Sequence, residues 1–202
     1  MDRSLGSNTS PVLEELAARD GGRAASEASD QTRPVSKPHI REVEDKDWPQ
    51  VHDLVVEVAS AGETYTMNVP RFVEETREFW TGQHVVVAVD EGTVLGSAKM
   101  GPNRPAQGAH VGTASFVVAQ AGRGRGVGRA LAEYAVEWHR ANGFAAIQFN
   151  AVVSTNTGAI KLWESLGFKT IGVVPDAFRL PQGEAGSAYA DLHVMYLGLG
   201  DG

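Results

Sequence analysis

The spacing of apolar residues along the chain predicts about seven strands and four helices. Strands are predicted near residues 39–43, 84–89, 93–100, 111–119, 145–152, 168–174 and 189–199. Helices are predicted from residue 47 onward and near residues 71–80, 127–140 and 156–166. The resulting order is strand, two helices, three strands, helix, strand, helix and two strands. This alternation is typical of one α/β domain.

The first helix has both a start signal and a clear apolar face. Asp47 stands where an N-terminal cap is expected, and Pro49 follows in the first turn. The side chains predicted to face the core are Val51, Leu54, Val55 and Val58.

Residues 1–38 differ from the rest of the chain in composition. They are rich in small, polar and charged residues and show no sustained apolar period. We therefore predict a disordered tail over residues 1–38 and a single folded domain over residues 39–200.

Charge and composition narrow the classes of function. The formal net charge is −7, which argues against a general nucleic-acid binder. The chain has no cysteine, so disulfides, thiolate metal sites and a cysteine nucleophile are excluded, and no metal site is predicted. No apolar run is long enough to span a membrane, and residues 1–38 lack the apolar core of a secretory signal. A cytoplasmic location is the default expectation.

The most informative segment is the glycine-rich stretch 122–128, which joins a predicted strand to a helix. The first turn of a helix has N–H groups without acceptors, and glycines allow an anion to approach them. Arg123, Arg125 and Arg129 add positive charge around this turn, which favours a diphosphate over a carboxylate. The alternative is a helix start at which the glycines only relieve crowding.

Two familiar nucleotide-binding motifs do not fit this stretch. Counting from Gly122, Gly124 or Gly126, the sixth residue is never glycine, so the dinucleotide fingerprint fails. The Gly-Lys-Ser/Thr of a Walker A loop is also absent.

The stretch does resemble the Arg/Gln-x-x-Gly-x-Gly/Ala signature of the GNAT acyltransferases, with Arg123, Gly126 and Gly128 at the defined positions. Residues 156–168 are similar to a second signature of that superfamily, with its terminal Leu-Gly-Phe. The two motifs occur in the expected order and are separated by one helix and one strand. The resemblance extends over about residues 39–199.

This resemblance implies a mixed central sheet of about seven strands and four helices, with acetyl-CoA as co-substrate. The edge at Val117 and Val118 would pair with the pantetheine arm, and nearby backbone N–H groups would stabilise an oxyanion. Asn156 would bond the pantetheine or the acceptor, or act only as a helix cap. The diphosphate would be held by Arg123, Gly124, Arg125, Gly126, Val127, Gly128, Arg129 and the following Ala130.

One residue departs from the pattern of the family. Many relatives have a tyrosine where this chain has Trp163, and that tyrosine can protonate the departing thiolate. An indole N–H is not a practical acid. Because a thiol has a pKa of about 8.5, the thiolate can leave near positive charge and take its proton from water. We therefore expect Trp163 to be a packing residue.

In the reaction that the resemblance implies, an amine attacks the thioester of acetyl-CoA. The amine must lose a proton before it attacks, and three side chains are candidate bases. Glu63 lies in a loop that, in this family, covers the acceptor side of the cleft. His110 opens the strand before the glycine-rich turn, and His193 lies in the last strand. Each candidate also has an ordinary interpretation, as a solvated carboxylate or a sheet residue, and a water chain can replace them.

Asn150 is a polar residue in an otherwise apolar predicted strand, where an unpaired amide is costly. It is expected either to take part in acceptor binding and catalysis or to bond a neighbouring loop. Residues 148–156 and the loop at 62–65, which includes Tyr65, are also loosely similar to fungal acetyltransferases that act on azetidine-2-carboxylate. That similarity implies an amino acid or imino acid acceptor bound by Tyr65 and Asn150.

The function predicted from the sequence is transfer of an acetyl group from acetyl-CoA to the amine of a small molecule by direct attack. One alternative is a non-catalytic acyl-CoA sensor, which the substitution at Trp163 favours. Another is acetylation of protein lysines or N-termini. No nucleic-acid or membrane partner is expected. Association into a homodimer is compatible with the sequence.

Overall fold

A computed structural model describes residues 38–181 and 188–200. Within them, the strands are β1 His39–Glu42, β2 His84–Asp90, β3 Thr93–Pro102, β4 Val111–Val118, β5 Ala146–Val153, β6 Lys169–Arg179 and β7 Tyr189–Gly198. The α-helices in the same residues are α1 Trp48–Ala61, α2 Val73–Phe79, α3 Val127–Ala141 and α4 Thr157–Ser165. The tail predicted for residues 1–38 lies outside the described part apart from Pro38.

The seven strands form one mixed sheet in the order β1-β2-β3-β4-β5-β7-β6. All neighbouring pairs are antiparallel except β4 and β5, which are parallel. The mixed seven-stranded sheet with four α-helices, predicted from the sequence, is confirmed for the described residues.

The parallel pair β4 and β5 separates almost as soon as it forms. Their register contains only two pairs, Val111 with Ala146 and Gly112 with Ile147. By contrast, β4 pairs with β3 along its length, from Gly112 to Val118. The sheet is therefore splayed between β4 and β5, and the far half of each strand borders an opening.

Successive strand residues point to opposite sides of the sheet, so apolar side chains lie on both faces. Helices cover each of these faces. On one face, α1 packs through the four apolar residues predicted for it, which are all buried. On the other face, α3 packs Val127, Leu131 and Ala135 against β2 and β3. The helical period of these residues thus fixes where the glycine-rich turn lies relative to the sheet.

Asp47 occupies the N-cap position of α1, as predicted, but the expected capping bond from its side chain is absent. Its carboxylate accepts hydrogen bonds from Arg41 Nη1 at 2.6 Å and Nη2 at 2.8 Å, and from the backbone N–H of Glu44. The carboxylate is buried, and an arginine fork satisfies both of its oxygens, so it ties β1 to α1 instead.

We expect Asp47→Asn to lower the free energy of unfolding at pH 7 by about 1.5–3 kcal/mol, the range for a hydrogen bond to a charged group. Hydrogen bonds from Arg41 hold the pKa of Asp47 below its usual value. A carboxyl group whose pKa is lowered in the folded state stabilises the fold above about pH 4 and loses that contribution as the pH falls. Urea unfolding should therefore show a smaller difference from the parent chain at pH 3 than at pH 7. A difference independent of pH would contradict this account.

Gly112 is required by the close approach of a buried imidazole. A Cβ at this position would lie 2.2 Å from His139 Cδ2 and 2.5 Å from His139 Nε2. The ring has no room to move, because His139 is fully buried and its Nδ1 lies 2.7 Å from the carbonyl oxygen of Ala135. The contact holds α3 against the start of β4.

Gly112→Ala is expected to lower the free energy of unfolding by about 1–3 kcal/mol, the usual cost of overpacking a core. The matched control is Gly172→Ala, since a Cβ at Gly172 in β6 would meet nothing within 4 Å. Urea unfolding monitored by circular dichroism measures both variants. Equal stability of the two would show that the ring yields more easily than its burial indicates.

None of the described helices is both long enough and apolar enough to cross a membrane.

Candidate active site

The opening between β4 and β5 is a cleft of about 1170 Å³. It is larger than the roughly 300–1,000 Å³ of most small-molecule sites. At one end it is lined by the glycine-rich turn and the start of α4, and at the other by residues 63–66 and 180–181.

Strand β4 presents to this cleft main-chain groups that pair with neither β3 nor β5. Ala119 N donates to Leu95 O, and Asn103 N donates to Val111 O, which fixes the odd-numbered residues of β4 as those bonded to β3. The N–H and C=O of Phe116 and Val118 therefore point away from β3, towards the opening. Main-chain groups of Val117 point towards β3 instead.

The glycine-rich turn leads into α3 as an open cradle. The first bond within the helix runs from Ala130 N to Gly126 O, so the N–H groups of residues 127–129 have no acceptor in the helix. Gly124 and Gly126 have φ of +72° and +79°, and a Cβ on either would meet nothing within 4 Å. Free space thus lies directly beside the positive end of the helix dipole. This arrangement fits a phosphate or diphosphate group.

The three arginines of the turn do not all face the cradle. Arg123 and Arg129 line the cleft. Arg125 instead forms an ion pair with Asp90, at 2.5 Å, and is absent from the cleft lining. Arg129 also donates to Ser165 Oγ at 2.9 Å, which links the turn to the end of α4.

Asn156 combines a capping bond with a place in the cleft lining. Its Oδ1 accepts a hydrogen bond from Ala159 N at 3.1 Å, at the start of α4. Asn156 also lines the cleft across from the turn. The cap role is confirmed, and contact with the pantetheine or acceptor stays a prediction.

Trp163 lies at the bottom of the cleft within a group of aromatic rings. Its ring centroid is 4.7 Å from that of Phe149 and 4.9 Å from that of Phe116. The side chain is buried, with 7% of its surface exposed. The expectation that Trp163 is a packing residue is confirmed, and the residue forms an apolar floor below the open edge of β4.

The end of the cleft at residues 63–66 is polar, and the cleft holds one carboxylate among the described lining residues, that of Glu63. Tyr65 lies beside it and places its hydroxyl on the backbone of Phe116. The other two candidate bases lie elsewhere. His110 is exposed, with Nδ1 3.1 Å from Gln107 O, and His193 lies in β7 between Val152 and Val173; neither lines the cleft.

Asn150 is exposed rather than enclosed in an apolar strand core, so that part of its interpretation is wrong. It lies where β5 bulges, between Phe149 and Val152, which turns its side chain out of the ladder. Its Nδ2 donates to Asn103 Oδ1 at 2.6 Å, and its Oδ1 accepts from Gln148 Nε2 at 2.9 Å. The bond to a neighbouring loop is thus present, and Asn150 also lines the cleft.

Sequence patterns missed two features of this site. Asn103 holds Asn150 from the loop after β3, and the hydroxyl of Tyr65 binds both polar main-chain groups of Phe116. Asn103 stands in a Pro-Asn-Arg-Pro stretch that predicted only a loop. Neither contact has a local signal, because the partners are 47 and 51 residues apart.

The splayed sheet, with the cradle at the start of α3 beside it, agrees with the fold of acyltransferases that use acetyl-CoA. Comparison with known proteins identifies the family. The model of the acetyltransferase (GNAT) family matches residues 39–168. The chain therefore belongs to this family, a class of acyltransferases that use acetyl-CoA. No group of three or more histidines and carboxylates that could hold a metal ion occurs in the residues the structure describes.

One solved structure and one curated relative agree with this assignment, and a second solved structure shares the fold. A GCN5-related N-acetyltransferase from Kribbella flavida is 52% identical, with a TM-score of 0.74 over 79% of this chain and 96% of that chain. A phosphinothricin acetyltransferase from Sinorhizobium meliloti, solved with acetyl-CoA, has a TM-score of 0.73 at 23% identity, over 83% of this chain and 91% of that chain. The N-acetyltransferase aca1 of Schizosaccharomyces pombe is 35% identical over 102 residues, which are 50% of this chain and 47% of that protein. The chain thus spans about half the length of this curated relative.

Proposed function

We propose that the chain is an N-acetyltransferase that transfers the acetyl group of acetyl-CoA to the amine of a small molecule. The observation that carries this proposal is the two-pair contact between β4 and β5. It leaves the main-chain groups of Phe116 and Val118 on an open edge that continues into the phosphate cradle. An extended pantetheine arm needs such an edge, and a diphosphate needs such a cradle.

The residues at the cradle hold the co-substrate. The N–H groups of residues 127–129 and the guanidinium groups of Arg123 and Arg129 bind the diphosphate. Gly124 and Gly126 leave the space that it occupies, and Arg125 supports the turn through Asp90. Acetyl-CoA supplies the acetyl group as a thioester, which an amine can attack directly without a nucleophile from the protein.

The residues at the other end prepare the amine. Glu63 accepts the proton of the incoming ammonium, directly or through water. Asn150, held by Asn103, donates to or accepts from polar groups of the acceptor. N–H groups on the open edge of β4 bind the oxygen on which negative charge develops. The departing thiolate takes its proton from water, since Trp163 is buried among aromatic rings.

The end of the cleft at residues 63–66, called the acceptor end in this proposal, favours a small molecule over a peptide. The backbone at Gly62 approaches the ring of Pro181 so closely that a Cβ there would lie 3.3 Å from Pro181 Cγ. Among the described residues, the segment after α1 and the segment after β6 therefore meet beside the acceptor end, which favours a compact acceptor. An amino acid or imino acid, as the loose resemblance implies, is the first class of acceptor to test.

The test has two stages. Isothermal titration with acetyl-CoA measures binding, and thiol release is then followed over a panel of amino acids, imino acids, polyamines and lysine-containing peptides. We expect binding, and release with a small amine or imino acid. Absence of binding would contradict the proposal. Binding without release across the panel would favour an acyl-CoA sensor, and release with peptides alone would favour a protein acetyltransferase.

A further inference from the structure

The hydroxyl of Tyr65 binds both main-chain polar groups of one residue on the open edge of β4. It donates to Phe116 O at 2.8 Å and accepts from Phe116 N at 2.9 Å. Both are good hydrogen-bond distances, and together they use the N–H and the C=O of this residue on the cleft side. A side chain thus takes the place of a neighbouring strand at this point.

The oxygen of Tyr65 lies where an acyl oxygen has to lie in order to accept from Phe116 N. An N–H group makes one good hydrogen bond at a time, so the hydroxyl and a thioester carbonyl compete for it. Free CoA has no carbonyl oxygen at its sulfur and does not enter that competition. The contact of Tyr65 with Phe116 therefore opposes the binding of acylated CoA but not that of free CoA.

The surroundings of Tyr65 favour a neutral hydroxyl that is held in place but can leave. Its ring packs against the core cluster that includes Val51 and Leu54 of α1, and it makes an edge contact with Trp80, at 6.2 Å between centroids. Burial raises the pKa of Tyr65 to about 12, so the group stays a donor at neutral pH. Residues 62–72 form no helix or strand, so displacement of this side chain would break no strand pairing.

We propose that Tyr65 fills the acyl-oxygen position of β4 in the absence of an acyl group and is displaced by the thioester carbonyl of the co-substrate. The inference rests on the proposed function, because it assumes that acetyl-CoA lies along β4. Tyr65 then keeps the Phe116 amide hydrogen-bonded between turnovers. It also lowers the affinity of the protein for acetyl-CoA relative to the affinity of the protein for CoA.

The test compares three ligands on the Tyr65→Phe variant. Isothermal titration measures dissociation constants for acetyl-CoA, for CoA and for S-ethyl-CoA, a thioether that keeps the two carbons but lacks the carbonyl oxygen. We expect acetyl-CoA to bind about fivefold more tightly than to the parent chain, which corresponds to one net hydrogen bond. Binding of CoA and S-ethyl-CoA should change by less than about twofold on the same scale.

Tyr134→Phe is the matched control, since it removes a part-buried hydroxyl, bonded to His84, that lies outside the cleft lining. It should leave all three constants unchanged. Weaker or unchanged binding of acetyl-CoA to Tyr65→Phe would overturn the inference, as would equal tightening of all three ligands. If the parent chain binds none of the three, the proposed function itself fails, so the two failures are distinguishable.

Discussion

Replacing Gly126 with valine is expected to weaken the binding of acetyl-CoA and CoA by at least about 100-fold, equivalent to roughly 2.7 kcal/mol. A Cβ on Gly126 points into open space beside the first turn of α3. The two methyl groups of valine fill the place that a diphosphate needs next to the N–H groups of residues 127–129. Isothermal titration measures the loss directly.

The control for this variant has to account for backbone strain. Gly126 has φ of +79°, which a valine adopts only at a cost of about 1–2 kcal/mol. Gly143, after α3, has φ of +75° and equally open surroundings, but it does not line the cleft. Gly143→Val should therefore lose similar stability in thermal unfolding and keep its affinity. Retained affinity in Gly126→Val would show that the phosphate lies elsewhere.

The order of elements was predictable because each has a local cause. The apolar residues of α1 recur with a helical period, and all four predicted core residues are buried. β6 was predicted to end at residue 174 but continues to Arg179. Pro175 and Asp176 interrupt its apolar pattern, and Asp176 has φ of +52° within an irregularity between Val174 and Phe178. A sequence pattern registers such an interruption as an end, whereas the ladder continues past it.

The site was predictable only in its local part. The cradle depends on residues 122–129, which are neighbours in sequence, and its geometry fits the phosphate site inferred from them. The direction in which each arginine side chain points was not predictable, because Arg125 bonds Asp90, which lies in a hairpin 35 residues away. The contact of Tyr65 with Phe116 likewise depends on where α1 ends relative to β4. Such details follow from packing between elements, which residue spacing does not encode.

Glu63→Gln is expected to lower kcat by about 100-fold to 10,000-fold, the usual contribution of a general base. Glu63 carries the single carboxylate among the described residues that line the cleft. Glutamine keeps the shape of the side chain but does not accept a proton at neutral pH. Steady-state thiol release with the best amine of the panel measures the change. The dissociation constant of acetyl-CoA should stay the same, because Glu63 lies at the acceptor end.

Two further measurements separate a base from a carboxylate that only attracts a cationic amine. An alkylamine has a pKa of about 10, so more of the acceptor arrives already neutral as the pH rises from 7 to 10. If Glu63 removes the proton, the deficit of Glu63→Gln narrows over that interval. Glu74→Gln, on α2 and outside the cleft lining, makes the same change in net charge and should leave kcat unaltered. A deficit in KM alone, constant with pH, would instead assign Glu63 to binding, and the proton would then have to leave through water.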